Sequence, residues 1–339
     1  MAWTLTAGGA RIANAVGLRG RWRSAYSVSH AAGLAQRGNR STGNTVFARA
    51  YASRAAAATP ADRKALDACR AQLVVDAEVI ERAAASGAPL AAIAALAEGW
   101  ERLPEATRGF IRSPLGSATD GPVLWGDTPA TQVDQRTCGA AVIVMTLMIT
   151  DPFVALWVTS GRLLADYAPS EVAVLEDLGG SLRGVEQRWH ALQHAVHVAS
   201  TRSAVAGFAW PQALGTPPWR VDNVMRVAGV RLRTALVDDV SAADVSAFVA
   251  HASAALREAI PVPMYTGGDS RMGIGAIVPR HVVLLTGVVD DVFTVYEPSS
   301  GALHSLPAEQ WLADGSVSRA LGFWSRISCL VLPSPRRRD

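Results

Sequence analysis

The chain has 339 residues, half of them hydrophobic and 18% charged, which is enough apolar mass for one large or two smaller packed domains and excludes a disordered chain. Its formal net charge of +3 is too small to imply nucleic acid, and Lys64 is the only lysine, so the basic residues are almost all Arg and say little about partners. Three cysteines, Cys69, Cys138 and Cys329, make no disulfide framework and fit free thiols in a reducing compartment.

Residues 1–58 carry eight Arg and neither Asp nor Glu, among many Gly, Ser and Ala. The stretch reads as a mobile arm, with a surface for an anionic partner as the second reading. No compact apolar segment follows a basic start, which argues against a standard secretory signal. Thr59-Pro60 opens a helix with a capping hydroxyl and a proline at the first helical position. Leu66, Cys69, Leu73, Ala77 and Ile80 follow at helical spacing, and Gly87 and Pro89 end it. Further helices are expected over about 90–102 and 104–111, so residues 59–115 form a helical module with Cys69 on its apolar stripe. The turn-rich Ser113-Pro114-Leu115-Gly116-Ser117 marks a boundary.

The second unit runs from 116 to about 335. An uncharged helix begins at Cys138 and meets Asp151-Pro152, short of the roughly 18 apolar residues of a membrane span. More helix is expected over about 172–206, then a Pro-rich loop from Trp210 to Trp219, a helix over 220–227, a strand in "VRLRTALV" and a helix over 242–259. The last third reads as strands: "IPVPMY", "HVVLLTGVV" from His281, "VFTVYEP" ending at Glu297-Pro298, "ALHSL", and "FWSRISCLVL". Short polar turns between them imply an antiparallel sheet, and helices followed by such a sheet make an α+β architecture.

A nucleophilic thiol enzyme needs a thiolate, a base, a group that orients the base and donors for an oxyanion. Cys138 falls at the first turn of its helix, where the dipole and free N–H groups favour a thiolate. Gly139 leaves room for substrate backbone. Gln132, six residues earlier, brings a side-chain amide that can join the Cys138 N–H as an oxyanion donor. His281 opens an apolar strand. A hairpin turning at Asp290-Asp291 sets Glu297 opposite about Leu284 and His281 opposite about Ser300, so the carboxylate must bridge a diagonal.

The run Gln132…Cys138-Gly139, then Pro-Val in "IPVPMY", His281-Val282-Val283 with Gly287, and Glu297-Pro298 resembles the papain-like cysteine peptidases. Within them it is most similar to the bacterial peptidases that remove double-glycine leaders from bacteriocins, and to their free-standing relatives. That family has Gln six residues before Cys-Gly, a hydrophobic helix after it, a His opening a strand and Asp-Pro about sixteen residues on. "GTPPWRVDNVMRVAGVRL" resembles its second helix and following glycine. The resemblance covers roughly residues 123–333. It implies a papain-like fold, with a helical part packed on an antiparallel sheet, and acyl transfer through a thioester on a peptide or protein substrate, with no cofactor or metal. Two features depart from the pattern. Glu297 stands where the family has Asp. The 143 residues from Cys138 to His281 exceed the usual gap, and the excess falls in a helical insertion over about 151–209.

Cys138, His281, Glu297 and Gln132 are therefore the expected catalytic residues of a cysteine peptidase or related acyl-transfer enzyme. Transglutamination and deamidation would use the same site. The alternative is a catalytically silent fold that binds peptides or proteins. The expected location is cytoplasmic, with export by a specialised route as the alternative. His190, His194 and His197 share a helical face with Glu186, a stripe that reads as a solvated or cleft-facing helix before it reads as a zinc site. His304 is a reserve base. The helical module before Ser113 is a candidate propeptide or lid.

Overall fold

The computed structural model describes residues 4–15, 45–175, 182–202, 216–272 and 278–334. Two helices, α1 (Leu5–Ala15) and α2 (Val46–Ala57), lie within the described part of the stretch read as a mobile arm; residues 16–44 lie outside the described residues. Thr45 caps α2 by accepting the Ala48 N–H at 3.3 Å, and α2 buries Val46, Phe47 and Tyr51. The module follows as α3 (Pro60–Gln72), α4 (Ala77–Ala85), α5 (Leu90–Gly99) and α6 (Glu105–Arg112). The single helix expected from Thr59 to Gly87 is broken at residues 73–76. The break lets Asp76 turn its carboxylate inward, where it accepts Trp100 Nε1 at 2.7 Å and Arg112 Nε at 2.6 Å. The two β-branched residues before it, Val74 and Val75, are left exposed.

The longest apolar helix, α7 (Cys138–Thr150), is buried at every position but Ile149. Asp151 ends it and caps α8 (Pro152–Ser160), accepting the Phe153 N–H at 3.0 Å. The helix expected over 172–206 is divided between a one-turn α9 (Ser170–Ala173) and α10 (Val185–Thr201); residues 203–206 lie outside the described residues. α11 (Pro218–Val224) starts and ends earlier than its pattern implied, because Pro218 takes the first helical position. α12 (Ala242–Arg257) is capped by Ser241.

The strands are β1 (Gly121–Pro122), β2 (Leu124–Trp125), β3 (Thr128–Pro129), β4 (Leu232–Leu236), β5 (Val262–Gly267), β6 (His281–Val289), β7 (Val292–Glu297), β8 (Ala302–Pro307) and β9 (Arg326–Pro333). Seven of them form one antiparallel sheet in the order β1-β8-β7-β6-β5-β9-β4, and β2 pairs with β3 alone. The protein is therefore α+β. β5 is buried along its whole length and β9 nearly so. α7 and α12 both pack on β6, and α11 packs on β4 and β9.

Module and sheet share one continuous apolar core. Arg82, on α4, sews them together: it donates to the carbonyls of Ile149 and Ile111, each at 2.7 Å. These are carbonyls at the C-terminal ends of α7 and α6, where a cation satisfies orphan acceptors and the helix dipole together. Burial lowers the Arg82 pKa, with Glu78, Asp151 and Asp76 opposing that shift from nearby. The described parts of residues 1–58 are tied down as well. α1 packs on β4 and β9, and Arg11 reaches Asp238 at 2.8 Å. Arg49 pairs with Glu258, and Arg54 donates to the Ala84 carbonyl at 3.0 Å. The described arginines of residues 1–58 thus bind the protein's own acids and carbonyls; Arg19, Arg21, Arg23, Arg37 and Arg40 lie outside the described residues. Among the described residues no single helix is long and apolar enough to cross a membrane; α7 and α8 reach that length only together and are bent by 112°.

Candidate functional site

Cys138 is the first residue of α7, and no side chain caps that helix start. Thr137, at the capping position, turns its hydroxyl back into the preceding loop, accepting the Asp134 N–H and donating to the Asp134 carbonyl, each at 3.0 Å. The first-turn N–H groups are consequently not consumed by a capping side chain. Gly139 beside it is required by close approach, since a Cβ there would lie 2.6 Å from the Thr216 Cβ.

His281 opens β6 and Glu297 closes β7. His281 Nε2 donates to Glu297 Oε1 at 2.7 Å, and the Cys138 thiol is near enough to the imidazole to raise its pKa. With Nε2 engaged, Nδ1 is the ring nitrogen that stays open. All three residues are buried. Burial alone would lower the His281 pKa, but the bonds to Cys138 and Glu297 outweigh it and raise it to about 9. Burial would raise Glu297; the His281 bond and those from Ser299 and Ser300 hold it down at about 2.

A β-bulge decides which way Glu297 faces. Near the turn Gly287 pairs with Thr294, but beyond Thr286 the pairs are Leu285 with Val295 and Leu284 with Tyr296. Continuing this register sets Glu297 opposite Val283, one residue from the partner expected for a regular hairpin. In a strand one residue is the whole difference between the two faces. Opposite Leu284, Glu297 would project from the face that His281 does not use. The extra residue, Thr286, puts them on the same face and is pinned by its hydroxyl to the Thr294 carbonyl at 3.1 Å. The remaining two-residue diagonal is covered by the longer glutamate side chain.

The loop after β7 clamps Glu297. Oε1 accepts the Ser299 N–H at 2.8 Å and the Ser299 hydroxyl at 2.6 Å, and Oε2 accepts the Ser300 N–H at 2.8 Å. The same loop holds Gln132, whose N–H donates to the Pro298 carbonyl at 2.7 Å. The Gln132 side chain donates one amide N–H to the Asp134 carbonyl at 2.8 Å, while its buried oxygen has no partner. The second amide hydrogen has no partner among the described residues.

From the other side α10 grips this loop. Trp189 Nε1 donates to the Thr131 carbonyl at 2.7 Å, and Gln193 brackets Gln132 by donating to that carbonyl and accepting the Val133 N–H, both at 3.2 Å. The described part of the insertion therefore supports the Gln132 loop and lies along α7.

The structure brings Cys138, His281 and Glu297 together and stations Gln132 on the adjoining loop. It does not bring in His304, which stands on β8 opposite Val295 and faces Asp120 at 3.8 Å. Nor do the α10 histidines converge: His190 is half-buried, His194 exposed and His197 buried. Among the described residues no group of three or more His, Cys, Asp or Glu is arranged to hold a metal ion. The helical module reaches α7 at the end away from Cys138. It grips Ile149, eleven residues along α7 from Cys138, or roughly 16 Å at 1.5 Å per residue.

Several supporting residues escaped the sequence reading. Ser299 and Ser300 carried a signal, since hydroxyl residues after a loop acid bind its carboxylate locally. Trp189, Gln193 and Gly322 carried none, because their partners are distant in the chain. Gly322 has φ of +68°, and a Cβ there would lie 2.3 Å from His281 Cδ2. Its bare backbone is the wall behind the imidazole. No family model matches the chain, and no curated protein matches it.

Proposed function

We propose that the chain is a papain-like cysteine hydrolase acting on peptide or protein amide bonds. One observation carries the reading: a single imidazole that lies 2.7 Å from the Glu297 carboxylate at Nε2 and interacts with the Cys138 thiol at a helix start. Cys138 attacks the carbonyl carbon, forming a C–S bond while the carbonyl oxygen takes the electron pair. Gln132 and the Cys138 N–H receive that oxyanion. Its collapse breaks the C–N bond, and protonated His281 gives its proton to the departing amine. Water then attacks the thioester, His281 takes the proton, and the acid and the thiol are regenerated. Glu297 keeps the imidazole in the tautomer and orientation both halves need.

The other two cysteines serve as internal controls. Burial raises the thiol pKa of both Cys329 and Cys69. Iodoacetamide at mildly acidic pH should label Cys138 far faster than either, by peptide mass spectrometry, and His281→Ala should abolish the difference. Equal, slow labelling of all three would instead favour the silent binding fold. Three buried free thiols fit a cytoplasmic setting.

A further inference from the structure

One face of α10 reaches the chain on both sides of Cys138. Trp189, Gln193 and Ser200 lie four and seven residues apart, which sets them on the same side of the helix. All three are fully buried. Trp189 and Gln193 hold residues 131–133, before the nucleophile. The Ser200 hydroxyl lies 3.2 Å from that of Thr216, and Thr216 is the side chain packed against Gly139, directly after it. The Tyr265 hydroxyl fixes Thr216 in turn, donating to its carbonyl at 2.9 Å.

Gln193 is the unexpected member of that face. Helix packing asks only for an apolar side chain there, like the buried Leu192 and Val196 nearby. An amide in the same place costs desolvation unless both of its ends are bonded. Both ends are bonded to backbone: the nitrogen donates to the Thr131 carbonyl and the oxygen accepts the Val133 N–H. These are the two groups that a neighbouring antiparallel strand would take from the residues either side of Gln132. The N–H of Gln132 itself goes elsewhere, to the Pro298 carbonyl, in the loop that clamps Glu297. Gln132 is thus held through its own N–H and through both neighbours, and its side chain leaves a backbone with little freedom.

An oxyanion donor works by standing in place before the charge develops, and a misplacement of about 1 Å can cost about a hundredfold in rate. We propose that Gln193 is a positioning residue for Gln132, so that the insertion sets the rate of acyl transfer by acting through the loop rather than on the substrate. This rests on the hydrolase reading above and on Gln132 as the oxyanion donor within it.

The test uses the full chain and a mixed peptide library, with kcat and KM then measured on the peptide cut fastest. Gln193→Met keeps the length of the side chain and removes both bonds. It should lower kcat about tenfold and leave KM within about twofold. Iodoacetamide labelling of Cys138 should be unchanged, because alkylation at sulfur forms no oxyanion. In a Gln132→Ala background the same substitution should lower kcat no further. Trp189→Phe loses only the Nε1 bond to Thr131; it should show the same pattern in milder form, and it carries the test if Gln193→Met does not fold. A fall in kcat that persists in Gln132→Ala, a labelling rate that falls alongside kcat, or a kcat indifferent to both substitutions would overturn this inference and leave the hydrolase reading standing. A library left uncut, or cut equally by Cys138→Ala, would remove the hydrolase reading and this inference with it.

Discussion

At the scale of single residues, the added methylene of Glu297 is the change that this hairpin needs. With the carboxylate opposite Val283 and the imidazole two residues along, a shorter acid would fall back from Nε2. Glu297→Asp is therefore expected to lower kcat by at least tenfold with little effect on KM, read by steady-state kinetics on any cleaved peptide. Gln132→Ala should cost more, about 10²–10³ in kcat, the usual loss for one oxyanion donor. The His281–Glu297 pair also makes stability depend on pH at both ends. The His281 pKa is raised to about 9, so its contribution is complete below its ordinary value near 6.5 and is lost as pH rises towards 9. The Glu297 pKa is lowered to about 2, so its contribution is complete above about 4.5 and is lost as pH falls towards 2. Urea unfolding of wild type against Glu297→Gln should show the largest gap between about pH 4.5 and 6.5, narrowing on both sides. Phe323, with φ of +63° and a side chain 61% exposed, offers the opposite kind of change. Asparagine tolerates its left-handed backbone, and little burial is at stake, so Phe323→Asn should unfold about 0.5–1 kcal/mol later than wild type.

At the scale of elements, the β6–β7 hairpin shows what pattern can and cannot supply. Its alternating apolar residues and the Asp290-Asp291 turn were legible, and β6 spans the residues that its pattern implied. The bulge was not. Nothing about Thr286 distinguishes it from a regular strand residue, yet it alone decides which face Glu297 uses. Deleting Thr286 would leave Gly287–Thr294 and Leu285–Val295 as successive pairs of a regular ladder, so Glu297 is expected to stay opposite Val283 and Cys138 to keep its rapid labelling, with about 1 kcal/mol lost in urea unfolding for the Thr286 bond to Thr294. Helix α7 was legible because thirteen residues in succession carry no charge. The α3–α4 break was not, because its cause is the inward turn of Asp76 towards Trp100 and Arg112. In general the elements could be read where their signal is local. Supports that join distant segments, such as Trp189 to Thr131, leave no trace in periodicity.

At the scale of the whole molecule, Arg82 carries the joint between module and sheet. Replacing it with methionine keeps much of the stem but leaves three backbone carbonyls without their donor. A loss of about 3 kcal/mol in chemical denaturation is expected, with the labelling rate of Cys138 in the folded fraction unchanged. The two readouts separate because the joint and the sulfur lie at opposite ends of α7. That layout bears on how such an enzyme would be kept in check. A precursor held silent by its own leading segment must have that segment across the cleft, so that a cut sets it free. Here the described helices of the module brace the far end of α7, so a cut at residues 113–117 would not by itself uncover Cys138.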